Sequence, residues 1–258
     1  KKLNGVGAKA LAQVFNEAFS DYFIKIQMTE EQIQHKLDEE GLDLDLSVGA
    51  FYNGKLVGFI FHILSNQNEQ RFLYNGGTGV IPKFRGSKLT KSMYDWIIPF
   101  LKENSIDFVR LEVIDINVAA IKTYQSTGFE INRHLRCYKG NIEGRQEKNI
   151  NPWPVESLST EEFRSFWSWN PSFQNATENV KKGKENSMIV SQSKTGEIQG
   201  YAIYSSNGRL HQFGVLPATR NQGIGTGLFQ YIALSNQEIS TINVDSEAHE
   251  TISFLENH

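Results

Sequence analysis

The sequence is poor in the residues that stabilise disulfide-linked or metal-bound folds. It has a single cysteine, Cys137, among 258 residues, so neither an intrachain disulfide nor a cysteine-based zinc site is possible. Its six histidines show none of the spacings typical of metal ligands. A lone thiol is typical of reducing surroundings, so we expect a cytoplasmic protein without a bound metal.

Long apolar runs and an excess of one charge are also missing. The longest apolar stretch, Val57–Leu64, is far shorter than the roughly 18 residues of a membrane-spanning helix and contains a glycine and a histidine. No secretory signal is evident. The net charge is −3, which indicates no basic surface for nucleic acid. We therefore expect neither a membrane nor a nucleic-acid partner.

The most informative segment is Val215–Gly227, which reads VLPATRNQGIGTG. A short apolar run ends at a proline, and three glycines then open the apolar, helix-like run Leu228–Leu234. The first N–H groups of a helix have no partner within the helix and carry partial positive charge, so such a turn binds phosphate or pyrophosphate. Arg220 would add a charged donor at the rim.

An imperfect copy of this segment lies earlier in the chain. Val80–Thr90 reads VIPKFRGSKLT, and its valine, proline and arginine match those of the later segment at one constant offset. Upstream, Gly54–Phe59 mirrors Gly196–Tyr201, and both follow a turn signal within alternating apolar runs, a pattern typical of a hairpin. Repeated matches in the same order indicate an internal duplication.

The duplication predicts two α/β domains. Hydrophobic residues make up 39% and aromatic residues 12% of the chain, enough for a core in each half. The first domain is predicted at residues 1–140, a linker rich in charge and proline at 141–156, and the second domain at 157–258. We expect a buried strand over Ile106–Ile114 and a last strand of the first domain over Phe129–Lys139. The second domain appears one strand short.

Two motifs carry a resemblance to the GNAT acyltransferases, which use acetyl-CoA. Arg220–Gly225 matches the family's Arg/Gln-x-x-Gly-x-Gly/Ala signature at every position, whereas Arg85–Thr90 has Lys88 in place of the first glycine. The second landmark, Asn-x-x-Ala-x-x-x-Tyr-x-x-x-Gly-Phe, is matched in full over Asn117–Phe129. The resemblance covers nearly the whole chain as a tandem pair. It implies two GNAT-like domains, each a mixed central sheet flanked by helices, the second without its last strand.

The resemblance implies that acetyl-CoA, or coenzyme A, is bound at both turns. In the first copy the implied cofactor-binding residues are Val80, Ile81, Arg85, Gly86, Ser87, Lys88, Leu89, Thr90 and Asn117. In the second copy they are Val215, Arg220, Asn221, Gln222, Gly223, Ile224, Gly225 and Thr226. Asn117 has a second interpretation, as the cap of its helix. Positive φ at Lys88 need not be required at a first helical turn.

The implied reaction is direct attack of an amine on the thioester, with no acyl-enzyme. Tyr124 is the candidate acid for the leaving thiolate, and a backbone N–H near Gly79–Ile81 is the candidate oxyanion donor. Glu112 is the candidate base, with Asp115 or a water as alternatives. The first copy keeps the tyrosine, so we expect the chemistry there and a structural or regulatory cofactor-binding copy in the second half. The acceptor is a small-molecule or peptide amine that the sequence does not specify.

Other functions compete with this interpretation. The first is a non-catalytic module that senses acyl-CoA, since each copy has lost a different part of the motif. A tandem relative using a different acyl donor is a further alternative. A dinucleotide site on Gly223, Gly225 and Gly227 is disfavoured because Pro217 and Arg220 separate the strand from the glycines. No Gly-Lys-Ser/Thr sequence of a Walker loop occurs.

Overall fold

The computed structural model describes residues 1–67, 70–146 and 148–258, apart from the Gln67 side chain. The chain divides into two compact units, Lys1–Glu130 and Ile131–His258. The division therefore falls before residue 140, where the sequence places the end of the first domain. Within the described ranges, no helix is long and apolar enough to cross a membrane, and no group of three or more histidine, cysteine or carboxylate side chains is placed to hold a metal.

The first unit is a sheet between helices. Its elements are α1 (Ala8–Ala18), α2 (Glu30–Asp38), β1 (Leu42–Tyr52), β2 (Lys55–Gln67), β3 (Gln70–Val80), α3 (Leu89–Glu103), β4 (Phe108–Arg110) and α4 (Val118–Gln125). The strand order is β1-β2-β3-β4, antiparallel except for the parallel β3–β4 pair. As the Asn53-Gly54 signal predicts, β1 and β2 form a hairpin, in which Tyr52 pairs with Lys55 and both turn residues have positive φ.

Helices cover this sheet because their apolar stripes need a partner. The stripe of α1 is buried, and Phe15 stacks on Phe59 of β2 with ring centroids 5.8 Å apart. The stripe of α3 packs with strand residues in a cluster formed by Leu46, Val48, Ile60, Leu73, Met93, Tyr94, Ile97, Leu101 and Ile106. Helix α2 begins after Thr29 because the side chains of Thr29 and Gln32 form a capping box.

The pairing between β3 and β4 ends early. It covers only three pairs and stops at Tyr74 and Arg110, while β3 continues to Val80. In the β2–β3 pairing, Phe61 faces Gly77 and His62 faces Asn75, so Gly76 is an extra residue that bends β3. The predicted strand Ile106–Ile114 is therefore wrong in extent, because the strands diverge after Arg110. The divergence leaves one edge of β3 unpaired from Asn75 onward.

The second unit repeats this plan with two additional strands, one at each edge of its sheet. Its elements are β5 (Leu135–Gly140), β6 (Ile150–Trp153), α5 (Thr160–Phe163), α6 (Thr177–Lys182), β7 (Asn186–Gln192), β8 (Ile198–Ser205), β9 (Arg209–Val215), α7 (Ile224–Ala233), β10 (Ile239–Asp245) and α8 (His249–Glu256). The strand order is β5-β10-β9-β8-β7-β6. Strands β9 and β10 are parallel, and the other pairs are antiparallel.

Strand β5 corrects one prediction. The sequence assigns Phe129–Lys139 to the first domain as its last strand, but β5 pairs antiparallel with β10 in the second sheet, from Ile239 opposite Gly140 to Asp245 opposite Leu135. An alternating pattern predicts a strand but does not specify its neighbour. In the second sheet, β5 occupies the edge beside β10.

Candidate active site

The two predicted phosphate turns follow the same backbone path. Arg85 and Arg220 are extended, with φ near −65° and −62°, and the next residue in each turn has positive φ. The residue before each helix is left-handed, with φ 57° at Lys88 and 80° at Gly223. Lys88 therefore adopts the positive φ that the sequence left open, and the turn keeps its shape when lysine replaces glycine.

Each turn presents unpaired backbone donors at a helix start. The first intrahelical bonds run from Ser92 N–H to Lys88 carbonyl at 3.0 Å and from Gly227 N–H to Gly223 carbonyl at 2.9 Å. No side chain caps either helix. The N–H groups of the first three residues of each helix are thus available to an anion. They belong to Leu89, Thr90 and Lys91 in α3 and to Ile224, Gly225 and Thr226 in α7.

The arginine of each turn donates hydrogen bonds to other residues of its own unit. Arg85 Nε donates to the Val80 carbonyl at 3.1 Å, and its terminal nitrogens donate to the Ala18 carbonyl and to both oxygens of Asp21. This bidentate bond lowers the pKa of the Asp21 carboxyl. Arg220 makes the matching bond to the Val215 carbonyl at 3.1 Å. These contacts use arginine donors that were expected to bind phosphate. We therefore infer that the arginines hold the turns in shape.

One edge of β3 carries the candidate oxyanion donor. Ile81 N–H donates to the Val57 carbonyl at 3.0 Å, on the β2 side. Because N–H groups alternate along a strand, Val80 N–H faces the opposite edge, which β4 has left. Of the candidate oxyanion donors in the range Gly79–Ile81, Val80 N–H is therefore the one that faces the open edge of β3. Leu216 N–H makes the matching bond to the Gln199 carbonyl at 2.8 Å, so Val215 has the same orientation.

Tyr124 belongs to a polar cluster inside the first unit. The side-chain nitrogen of Asn75 donates to the hydroxyls of Thr78 and Tyr94, both at 2.7 Å. Burial raises the pKa of Tyr124 above its ordinary value, and Thr78 acts on that pKa in the opposite direction. The Tyr94 and Tyr124 rings meet edge to face at 6.4 Å. Only Tyr124 is part of the predicted site, since nothing in the spacing of the other three indicates that they meet.

Two further predicted residues have structural partners. Glu112 lies beyond the end of β4, and Tyr74 of β3 donates a hydrogen bond of 3.0 Å to its carboxylate. The Asn117 side chain accepts from Ala120 N–H at 3.2 Å, which makes it the N-cap of α4. The capping interpretation of Asn117 is thus confirmed. Glu112 stays a candidate base.

The corresponding place in the second unit is aromatic. Phe213 and Phe229 occupy the repeat positions of Thr78 and Tyr94, and their ring centroids lie 5.2 Å apart. Phe254 of α8 packs on both, and a Cβ added at Gly225 would lie only 3.1 Å from its ring. His258 stacks on Phe254 and hydrogen-bonds Thr226 at 2.8 Å. The second turn therefore lies against side chains of its own unit.

The buried Asn175 bridges β9 and β10, which diverge along part of their length in the second unit. Its side-chain nitrogen donates to the Ile242 carbonyl at 2.9 Å, and the Asn175 carbonyl accepts from Gln212 of β9 at 2.5 Å. Both polar side chains are almost wholly buried. The Asn175 and Gln212 side chains thus link β9 and β10 where the two strands no longer pair.

The first unit has a cavity beside its first helix. The segment between α1 and α2 lines a cavity of about 510 Å³, with Phe19, Tyr22 and Lys25 among its walls. Phe23 and Ile24 in the same segment are exposed, at 61% and 54%. Tyr22 of this segment adds to the rise in the pKa of Tyr124 that burial causes.

Comparison with known proteins agrees with this architecture. Residues 4–129 match the acetyltransferase (GNAT) family, and residues 154–254 match an acetyltransferase (GNAT) domain. The two matches together cover most of the chain. The protein therefore belongs to the GNAT acetyltransferase family, as a tandem of two GNAT domains. No curated protein matches the chain.

Solved structures share the fold over nearly the whole chain. A GCN5-related N-acetyltransferase from Sphaerobacter thermophilus has a TM-score of 0.64 at 18% identity, covering 93% of this chain and 84% of that chain. A putative acetyltransferase from Pyrococcus horikoshii has a TM-score of 0.61 at 9% identity, covering 96% and 80%. A glucosamine N-acetyltransferase region of a fungal β-N-acetylglucosaminidase has a TM-score of 0.66 at 14% identity, covering 95% and 35%.

Replacing Lys88 with glycine should stabilise the first unit. Lys88 is left-handed with no compensating side-chain bond to its helix, a conformation that costs about 1 kcal/mol for a residue with a Cβ. Lys88→Gly removes this strain, and we expect unfolding to be harder by roughly 0.5–1 kcal/mol in chemical denaturation. Lys88→Ala is the control, because alanine keeps the Cβ. Equal stability of the two variants would contradict a strained Lys88.

Proposed function

We propose that the first unit transfers an acetyl group from acetyl-CoA to an amine of a small molecule or peptide, by direct attack in a ternary complex. The observation that carries the proposal is the position of Tyr124. It lies in a buried polar cluster in a unit that also has an unpaired strand edge and a helix start with free N–H groups. The second unit has the helix start but aromatic side chains in place of the cluster.

The residues of the first unit fit a thioester carried on a diphosphate. The turn at Gly86–Thr90 would hold the phosphates through backbone N–H groups, with the Lys88 ammonium beside them. When bound, acetyl-CoA supplies the activated acetyl group. Val80 N–H donates to the carbonyl oxygen as negative charge develops there, Glu112 accepts a proton from the amine, and Tyr124 donates a proton to the leaving sulfur. The cavity beside Tyr22 would admit the acceptor.

We propose a non-catalytic role for the second unit. Its turn keeps free N–H groups, but Phe254 and His258 lie against it and Asn175 links β9 and β10. These contacts favour a structural copy that takes up little or no coenzyme A. They also bear on the alternative function, a sensor without catalysis, because a sensor would need at least one turn that binds ligand. We also propose a cytoplasmic location, on the single cysteine.

A matched pair of turn variants tests this assignment. Ser87 and Gln222 are exposed and occupy the same position of the two turns. A glutamate there repels phosphate at either site and suits a helix N-terminus. We expect Ser87→Glu to weaken acetyl-CoA binding at least tenfold by calorimetry, and Gln222→Glu to leave it unchanged. These variants measure binding separately from folding. Substituting the arginines that hold the turns in shape would change both.

Activity needs its own measurement. Free thiol released from acetyl-CoA, followed with a panel of amines, should appear in the wild-type protein and disappear with Ser87→Glu. A rise in thermal midpoint with acetyl-CoA but not with NAD would support the cofactor. Binding without thiol release for any amine would favour the sensor. Absence of coenzyme A binding would refute both functions.

A further inference from the structure

The cavity of the first unit adjoins the candidate oxyanion donor. Phe19 is one of its walls and directly follows Ala18, the last residue of α1. Ala18 packs so closely on β3 that a Cβ added at Gly79 would lie 2.8 Å from the Ala18 Cβ. The Phe19 ring also lies 6.5 Å from the ring of Phe59, which pairs with Gly79 across the sheet. The Phe19 wall therefore lies over the end of β3, beside the residue that precedes Val80.

The segment that forms the other walls is held at both ends. At its start, both oxygens of Asp21 accept from Arg85 of the first turn, at 2.7 Å each. At its end, the Asn16 side chain of α1 makes two hydrogen bonds to the Met28 backbone, at 2.9 and 2.8 Å. A loop held in this way keeps its side chains close to one arrangement, which lowers the cost of binding a ligand there.

Lys25 gives the cavity a positive charge. The remaining walls are uncharged, namely Asn16, Phe19, Ser20, Tyr22, Ile26 and Gln27. Among the described residues, no carboxylate forms an ion pair with Lys25. Asp21, the acid at the start of the segment, is already paired with Arg85. An ammonium in a cavity without a counter-charge attracts an anionic group of the ligand.

We propose that the acceptor of the first unit is an amine that also carries a carboxylate, and that Lys25 pairs with this carboxylate. The inference rests on the proposed acetyl transfer and names the class of its acceptor. The apolar part of such an amine packs on Phe19 and Tyr22, whose rings meet edge to face at 5.0 Å. Its nitrogen is then left to attack the thioester held beside Val80. Free amino acids are the simplest members of this class.

The carboxylate takes no part in the bond changes. The amine nitrogen forms a bond to the acetyl carbon, and the bond from that carbon to sulfur breaks. The nitrogen loses one proton and the sulfur gains one, so the reaction balances without a further reactant. Removing the carboxylate should therefore raise the KM for the acceptor and leave kcat nearly unchanged.

Paired amines with and without the carboxylate test the proposal. Phenylalanine and phenylalaninamide, and likewise leucine and leucinamide, differ only in this group and have side chains that suit the apolar walls. In steady-state assays of thiol release, Lys25→Glu should lower kcat/KM for the carboxylate about tenfold relative to its amide, mainly through KM. Lys25→Met keeps the length of the side chain without its charge, and should lower the same ratio about fivefold. The ratio between the two amines cancels their difference in intrinsic reactivity.

Lys9→Glu is the matched control. It makes the same change of charge at an exposed lysine near the start of α1, whereas Asn16 of the cavity lies two helical turns further along. This variant should keep the wild-type ratio. An equal fall in the ratio with Lys9→Glu and Lys25→Glu would show a general effect of charge and overturn the assignment of Lys25.

Binding without acetyl-CoA separates this inference from the proposed function. Ligand-observed NMR should show that phenylalanine or leucine binds the wild-type protein more strongly than its amide does, and that Lys25→Glu removes the difference. That result without thiol release for any amine would support the carboxylate site and refute the transfer. Thiol release with the same ratio in the wild type and in Lys25→Glu would support the transfer and overturn the acceptor class. Absence of any Lys25-dependent binding or turnover would also overturn it.

Discussion

Tyr124→Phe should lower the kcat of acetyl transfer at least tenfold while leaving acetyl-CoA affinity unchanged. The phenol is the acid that we assign to the leaving sulfur, and loss of a general acid typically costs 10²–10⁴ in rate. Phenylalanine keeps the ring that packs edge to face on Tyr94 and on Phe129, at 6.4 and 5.6 Å. The fold should therefore survive the change. Steady-state kinetics with thiol detection, together with calorimetry of acetyl-CoA, measure the two quantities.

Tyr204→Phe is the control for this experiment. Tyr204 lies half-buried in the second unit, where burial raises its pKa as it does that of Tyr124. The first unit carries the proposed chemistry, so this variant should keep wild-type kcat. Unchanged turnover in Tyr124→Phe would remove the acid role from this residue. An equal loss in both variants would indicate a general effect on folding.

The protein should lose stability on mild acidification because of His62. This side chain of β2 is fully buried, and its Nδ1 lies 2.7 Å from the Leu46 carbonyl. A carbonyl only accepts, so Nδ1 carries the proton, and Nε2 is a bare acceptor that has no hydrogen-bond partner within the described chain. Burial lowers the pKa of His62 from 6.5 to about 4, against the hydrogen bond to the Leu46 carbonyl and the charge of Asp43, which both raise it.

The sign follows from where the proton binds. Between about pH 6.5 and 4 the unfolded chain binds a proton at this histidine and the folded chain does not, so the free energy of unfolding falls as the pH falls. One such group contributes about 1.4 kcal/mol per pH unit, for a total of about 3 kcal/mol, which is fully lost below the folded pKa. His211 of the second unit, whose pKa burial also lowers to about 4, adds a similar loss there.

Chemical denaturation over this pH range, with variants, isolates the contribution of His62. His62→Phe should flatten the pH dependence by the equivalent of one proton, whatever its stability at neutral pH. His134→Gln, at an exposed position, should keep the wild-type slope. A His62→Phe slope equal to that of the wild type would show that His62 does not titrate differently in the folded and unfolded chains.

The site was predictable from sequence where its chemistry is local. A helix start with free N–H groups depends on a few adjacent residues, and the two turns and the cap at Asn117 were found from spacing alone. Tyr124 was predicted because it belongs to the family motif over Asn117–Phe129. The cluster of Asn75, Thr78 and Tyr94 was not predicted because it depends on contact between a strand and a helix that are separated along the chain. The aromatic side chains at the corresponding place in the second unit were not predicted either, because their contacts also depend on packing between distant parts of the chain.

The conformation of Lys88 was left open by the sequence for a different reason. Residue preferences favour glycine at positive φ, but they do not predict whether a turn changes its conformation when another residue replaces glycine. Here Gly86 and Gly223 each satisfy one of the two left-handed positions of their turn, and Lys88 and Asn221 adopt the other. Strain at one residue is tolerated because the strand and helix on either side fix the turn.

Strand β5 gives the duplication an unequal architecture. Its residues follow the first repeat in the chain but pair with β10 of the second sheet. A cut at residue 140, where the repeat pattern ends, would leave the distal piece with the exposed backbone of β10, a template for aggregation. The repeats are therefore not interchangeable cassettes, and any exchange of halves during evolution would have had to carry Leu135–Gly140 with the downstream copy.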